Sequence, residues 1–274
     1  MKPAPFAYHR PETLEAALAA LAADPHAKVL AGGQSLVPLL SMRLAQPSAL
    51  VDINALPGLD RIEVDETGVR IGALARHAAV LASPEVRRVQ PLVSLALGHV
   101  AHATIRNRGT TVGSLVHADA AAEMPVVLSL LGGSVRVASV RGQRDIAAAE
   151  LVLGPLESSL APDEIAVSAF FPALPAGAGV AFEEVARRHG DYALCGVAAL
   201  AHGARVAAGY VSVGDVPTVV DLSGVPAGER GAAALAQLDP QADIHATAAY
   251  RAQLVRVLTE RVVESAVSSA RGES

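Results

Sequence analysis

Apolar residues spaced three and four apart mark the helices of this chain, and short apolar runs bounded by turn residues mark its strands. Behind Pro11-Glu12-Thr13, the residues Leu14, Leu18 and Leu21 line one face of a capped helix. Residues 28–31 read as a short strand, and 36–44 as a helix with Pro38 tolerated in its first turn. Strands are predicted over 50–53 and 61–64. The latter pairs with 69–73 across Asp65-Glu66-Thr67-Gly68, a hairpin signal. Helices follow over 77–81, 91–100 and 124–131, then a strand over 134–139. Helix and strand alternate without regular winding, which predicts an α+β fold rather than a parallel sheet. The uncharged, Pro- and Gly-rich stretch 172–179 reads as a linker. Beyond it lies a strand-rich block (179–187, 192–202, 205–213 and 218–222). A closing helix over about 247–267 carries Tyr250, Leu254, Val257, Leu258 and Val262 on one face.

The chain has 274 residues, enough for about two domains. Hydrophobic residues make up 51% but aromatics only 3%, so the core is built mainly from small aliphatic side chains. The longest apolar runs, such as 16–23 and 125–133, fall short of the ~18 residues that cross a bilayer. Met1-Lys2-Pro3-Ala4-Pro5 lacks an apolar signal core. A cytoplasmic protein with no membrane span is expected. A net charge of −5 with no basic stripe argues against nucleic acid as a partner. The lysines are Lys2 and Lys28, so none follows a glycine run and a triphosphate loop of the GxxxxGK[ST] type is excluded. The lone Cys195 excludes an internal disulfide and an iron–sulfur cluster held by this chain alone, and is expected to be a buried apolar residue. His99, His102 and His117, with Asp119, match no established metal-ligand spacing, so no metal is expected.

Two runs of small residues carry the candidate chemistry: Ala31-Gly32-Gly33-Gln34-Ser35-Leu36 and Gly109-Thr110-Thr111-Val112-Gly113-Ser114-Leu115. Glycines let the backbone approach a ligand closely and reach φ > 0. Exposed N–H groups then point at anionic oxygens, helped by the Ser and Thr hydroxyls. A hydrogen bond to a charged oxygen contributes about 1.5–3 kcal/mol, so several amides from two converging runs would hold a diphosphate firmly. Gln34 is the least specific member and could simply brace its loop.

The first run matches the motif AGGQS. Arg106-Asn107-Arg108-Gly109-Thr110-Thr111-Val112-Gly113-Ser114-Leu115 is similar to RNxGT(I/V)GG(S/N)(L/I), and His117-Ala118-Asp119-Ala120-Ala121-Ala122-Glu123 to HADPAAE. A third block, from Phe182 to Ala193, follows FxExxRRxGD(Y/F/W)A. On these residues the chain resembles the flavin-binding medium subunit of the molybdenum hydroxylases, the family of carbon monoxide, xanthine and nicotine dehydrogenases. Val112 stands where the family has the first glycine of a pair, and Ala120 where it has proline. A Cβ at 112 excludes φ > 0, so an extended conformation is expected there and a backbone bond from 112 is in question.

The resemblance implies a two-lobed, vanillyl-alcohol-oxidase or PCMH-type FAD-binding domain over 1–174, split near 55–60. A smaller sheet-and-helix domain over 178–274 follows it. It implies FAD on this chain, held by Ala31, Gly32, Gly33, Gln34, Ser35, Leu36, Thr110, Thr111, Val112, Gly113, Ser114, His117, Asp119, Glu123, Arg188, Asp191 and Tyr192. Thr110, Thr111 and Ser114 would donate hydroxyl hydrogen bonds. Glu123 is either an acid beside the flavin or a solvated carboxylate. Tyr192 is expected to cover one face of the isoalloxazine, the alternative being a core tyrosine. Arg188 and Asp191 either pair with each other or steer acceptor access. No catalytic residue is implied on this chain. Substrate would be oxidised at a molybdopterin centre on a large subunit. Electrons would reach this FAD through [2Fe–2S] clusters on a small subunit and leave to an external acceptor, within an (LMS)2 heterohexamer. The alternatives are a free-standing flavin oxidoreductase and a scaffold that has lost its cofactor.

Overall fold

A computed structural model describes residues 2–272. The first segment contains β1 (Ala7–His9), α1 (Leu14–Ala23), β2 (Lys28–Leu30), α2 (Leu36–Ser41) and β3 (Ala49–Asp52). Its three strands form a small parallel sheet in the order β1-β3-β2. The Thr13 hydroxyl caps α1 by accepting from the Ala16 amide, as the sequence predicts. Helix α2 stops three residues short of the predicted 44. Arg43 turns left-handed (φ 58°), and the Leu44 amide closes back on the Leu39 carbonyl.

The second segment runs through β4 (Ile62–Val64), β5 (Gly68–Gly72), α3 (His77–Ala82), α4 (Pro84–Val89), α5 (Pro91–His99) and α6 (Ala103–Arg106). It continues with α7 (Thr111–His117), α8 (Glu123–Leu131), β6 (Ser134–Ser139), β7 (Gly142–Ala147), α9 (Ala148–Leu151), β8 (Val152–Gly154), β9 (Glu157–Ser158) and β10 (Ile165–Pro172). Five strands form one sheet in the order β4-β5-β10-β6-β7. The β4–β5 hairpin has the expected pairing, Ile62 opposite Ile71 and Val64 opposite Val69. Strand β10 joins β5 to β6 and so unites stretches far apart in the chain. The periodicity does not predict α4, α6, α9 or β7 to β10. Most are too short to show a period, and β7 is exposed along most of its length.

After the 173–177 connection come β11 (Ala178–Ala186), β12 (Ala193–His202), β13 (Arg205–Val211), β14 (Thr218–Asp221), α10 (Arg230–Leu235) and α11 (Ala248–Arg271). The four strands form an antiparallel sheet in sequence order. Its β12 is buried over nine of ten residues, nearly all small, so helices can lie close on both faces. Helix α11 covers one face, while α8 packs on β12, β13 and β14 and α5 on β11. The buried stripe of α11 differs from the expected one. Arg251, Val255, Leu258, Thr259, Val262, Val263 and Ala266 face inward, whereas Tyr250 and Val257 are exposed. Hydrophobicity alone rotates the face because Arg251 is buried. Its guanidinium donates to the Leu194 and Gln241 carbonyls and to Asp243, which satisfies the charge.

Among the described residues no helix is long and apolar enough to cross a membrane. Tyr210 and Thr259, both fully buried, share a 2.9 Å hydroxyl–hydroxyl bond between β13 and α11. Thr259→Val keeps the shape but strands the tyrosine hydroxyl. It should cost about 1–3 kcal/mol, read as a lowered midpoint of chemical denaturation.

Candidate functional site

Strand β2 ends at Leu30, and the chain turns through 31–35 into α2. Gly33 has φ +73°, a conformation that favours glycine. Gly32 is set by space. A Cβ on it would lie 2.5 Å from the Arg108 carbonyl oxygen, 2.9 Å from Gly109 Cα and 3.1 Å from the Thr110 nitrogen. The two small-residue runs therefore touch, backbone to backbone.

Four residues that the motif reading misses hold them together. Asn54 Nδ2 donates to the Ala31 carbonyl (2.8 Å). Arg76 donates to the Arg108 carbonyl (2.6 Å) and to Asn54 Oδ1 (2.7 Å). The His77 amide donates to the Gly109 carbonyl (3.0 Å), and the Thr111 amide to that of Ala75 (3.3 Å). Asp52, which accepts from Asn54 and from the Tyr8 hydroxyl, anchors the far end. Asn54 and Arg76 lie outside every motif, so no local signal marks them. Arg76 and Arg108 place two positive charges at the junction, which suits an anion.

Several main-chain donors at the junction stay unengaged. Among the described residues the amides of Gly32, Gly33, Gln34, Ser35, Leu36, Thr110 and Val112 donate to no protein acceptor. Ser35 stands at the cap position of α2 but makes no cap bond, so its hydroxyl is open too. Gln34 braces the turn, its Nε2 donating to the Gly32 carbonyl (3.3 Å).

The second run differs from expectation. From Thr111 onward it is not a loop but the start of α7. Val112 is accordingly helical rather than extended and buried in the core, while its amide stays free as an early helix donor. Two expected hydroxyl donors turn inward. Thr110 Oγ1 caps α7 by accepting from the Gly113 amide (3.2 Å), and the buried Thr111 Oγ1 lies 3.2 Å from His77 Nδ1. Gly113 and the half-buried Ser114 form the first turn of α7. His117 closes the helix before Ala118 turns left-handed (φ 56°).

The third block reaches the same region from the C-terminal sheet. Between β11 and β12 the chain turns at Gly190 (φ +85°), where a Cβ would lie 2.5 Å from the His102 ring. Asp191 pairs with Arg187 (3.6 Å), not with Arg188, which is exposed. Tyr192 is 67% exposed, so it is no core tyrosine. Partial burial and then the Asp119 and Glu123 carboxylates push its phenol above the usual value. Asp119 Oδ1 holds its own turn by accepting from the Ala121 amide (2.9 Å). The Ser212 amide at the end of β13 donates to the Ala120 carbonyl (2.9 Å). Glu123 is buried, which excludes the solvated reading. Burial first, then the charges of Glu184 and Asp119, push its carboxyl up to about 8. Cys195 is fully buried and its thiol is pushed up to about 12, as expected of an inert core residue. Among the described residues no three metal-ligating side chains converge.

A family model described as the FAD binding domain in molybdopterin dehydrogenase matches residues 4–174. The 6-hydroxypseudooxynicotine dehydrogenase complex subunit alpha of Paenarthrobacter nicotinovorans is 42% identical over 99% of this chain and 97% of its own. A structure of quinoline 2-oxidoreductase from Pseudomonas putida 86 superimposes with a TM-score of 0.90 at 36% identity, covering 98% of this chain and 99% of the other. One of carbon monoxide dehydrogenase from Hydrogenophaga pseudoflava gives 0.92 at 28% identity, covering 98% and 99%.

His77 ties this geometry to pH. Burial, reinforced by the charge of Arg106, lowers its pKa to about 4 from an ordinary 6.5. The folded state therefore binds fewer protons than the unfolded chain between these values. The stability His77 contributes is present above 6.5 and is lost as pH falls towards 4. Chemical denaturation at pH 7 and about pH 4.5 should show a smaller acid loss in His77→Gln than in the native chain.

Proposed function

We propose that this chain, which belongs to the family of FAD-binding domains of molybdopterin dehydrogenases, takes electrons from a partner subunit and passes them to an external acceptor. It is an oxidoreductase subunit with the PCMH-type fold, and FAD is its cofactor. The observation that carries the reading is the backbone contact of Gly32 with 108–110, which gathers unengaged amides from both turns into one cradle.

In this reading residues 1–174, split near 55–60, form the FAD-binding part and 178–274 the smaller domain. The amides of Gly32, Gly33, Gln34, Ser35 and Leu36, with those of Thr110 and Val112, bind the diphosphate. The Ser35 and Ser114 hydroxyls supplement them, and Arg76 and Arg108 balance the charge. Thr111, Gly113 and Ala31 shape the cradle rather than contact the ligand through side chains. His117, Asp119 and Glu123 border the ring end of the site, where the exposed Tyr192 covers one face of the isoalloxazine and screens it from water. Arg188 and Asp191 lie where an acceptor approaches. FAD, when bound, supplies a ring that exchanges electrons singly or in pairs.

The oxidation of substrate belongs to a large molybdopterin subunit, and [2Fe–2S] clusters on a small subunit supply the electrons. These relations rest on the relatives' character as subunits of dehydrogenase complexes and on the lone, buried Cys195, which cannot hold a cluster. An (LMS)2 assembly in the cytoplasm follows from the same reading.

The purified chain should carry a flavin absorbance band and oxidise no organic substrate until its partners are added. Gly32→Ala drives a methyl group into the Arg108 carbonyl and should lower FAD affinity at least about tenfold. Flavin fluorescence titration reads this, with circular dichroism confirming an intact fold. An unchanged affinity would overturn the two-turn cradle, and substrate oxidation by the metal-free chain alone would overturn the electron-relay assignment.

A further inference from the structure

Tyr192 is 67% exposed, so its position follows less from its own contacts than from the turn between β11 and β12 that carries it. That turn is closed on itself. The Asp191 amide donates to the Arg188 carbonyl (3.1 Å), and the Asp191 carboxylate lies 3.6 Å from Arg187. Among the described residues no hydrogen bond or ion pair joins 187–192 to the neighbouring segment 99–106. The contact between them is a ring against bare backbone. A Cβ on Gly190 would lie 2.5 Å from Cε1, 2.6 Å from Nδ1 and 3.0 Å from Nε2 of His102. Three ring atoms thus fill the space that a larger residue would need, two positions before Tyr192. His102 stands at the cap position of α6, yet its side chain is exposed and makes no cap bond.

The support beneath the ring is clamped. Between His99 and His102 the chain turns left-handed at Ala101 (φ 44°). Arg106 Nη1 donates there to both the Val100 carbonyl (2.8 Å) and the Ala101 carbonyl (2.7 Å). A left-handed alanine persists where its neighbours dictate it. On one side of this piece α5 packs on β11. His99 Nδ1 lies 3.5 Å from Glu184 Oε1, and the His99 ring is tilted against Phe182 with centroids 5.1 Å apart. On the other side α6 leads through Asn107 into 108–110, the stretch that touches Gly32. One short piece therefore bears the turn of the third block and runs straight into the cradle.

We propose that His102 is a positioning residue for the flavin site: its ring carries Gly190 and so fixes where Tyr192 lies relative to the two-turn cradle. The inference rests on the flavin reading above. His102 acts through Tyr192 and touches no ligand itself. Without the ring, the turn moves into the vacated space and the aromatic cover loses its register with the isoalloxazine, because a site is only as well placed as the shell that supports it.

The test uses the full chain loaded with FAD and reads the fluorescence of the bound flavin, which a stacked tyrosine quenches. Tyr192→Ala should raise that signal. His102→Ala should raise it by most of the same increment, with FAD affinity falling no more than about tenfold, the size of one lost aromatic contact. The double variant should match Tyr192→Ala alone, because the histidine acts through that side chain. His102→Phe restores a flat ring against Gly190 and should return the native signal. A merely structural histidine would lower the denaturation midpoint and leave the quenching intact. A second measurement needs neither a variant nor the flavin. In the FAD-free native chain the His102 Hε1 proton should show a nuclear Overhauser contact to the Gly190 α-protons. Absence of that contact, or an unchanged signal in His102→Ala beside a raised one in Tyr192→Ala, would overturn the positioning role alone. An unchanged signal in Tyr192→Ala would overturn the aromatic cover and the positioning role with it. A native chain that binds no FAD would overturn the flavin reading itself.

Discussion

One close approach governs the candidate site: the backbone of Gly32 against the carbonyl of Arg108 and the chain beyond it. Any side chain at that point would force the two turns apart. Keeping them in contact takes more than a missing Cβ, because each turn leaves polar backbone groups that need partners. Asn54, Arg76 and the His77 amide satisfy the carbonyls on the far side of the contact. What remains unengaged is a set of donors, and donors are what an anion requires. Each bond is modest alone, about 1 kcal/mol net, but together they fix two backbones against each other and so preorganise the cradle.

The C-terminal sheet contributes by delivery. Its all-but-buried strand β12, rich in alanine and carrying two leucines, lets α11 pack on one face and α8 on the other. That close packing carries the turn between β11 and β12 to His102 and to the 119–123 segment. The third sequence block thus meets the second, although three strands of the five-stranded sheet, β6, β7 and β10, lie between them in the chain. Tyr192 ends up largely exposed at this meeting point rather than in a core. An exposed aromatic side chain placed by rigid neighbours is a suitable cover for a flat ring.

The acid and base of the region are held in uncharged forms by burial. His77 is pushed down and Glu123 up, so at neutral pH both sit neutral within the structure. Positive charge is concentrated instead on Arg76 and Arg108, where the two turns meet. The site is therefore polarised along its length, cationic beside the turns and acidic near Tyr192. That gradient is consistent with a ligand that is anionic at one end and redox-active at the other.

The sequence by itself determined the local features: the Thr13 cap, the β4–β5 hairpin, the strand ending in Ala31-Gly32-Gly33, and the family to which the three blocks point. Each depends on residues a few positions apart, where capping, turn chemistry and periodicity act. Tertiary structure decided which polar groups are free. Thr110 and Thr111 read as ligand donors, yet one hydroxyl caps a helix and the other faces His77. Glu123 reads equally as a solvated acid, and only the tertiary packing buries it. Asn54 and Arg76, which fasten the cradle, belong to no motif and become meaningful only when the chain brings 31, 54, 76 and 108 together. The reason is physical: a hydrogen-bonding group is open or engaged according to neighbours that are distant in sequence, and no local pattern encodes them.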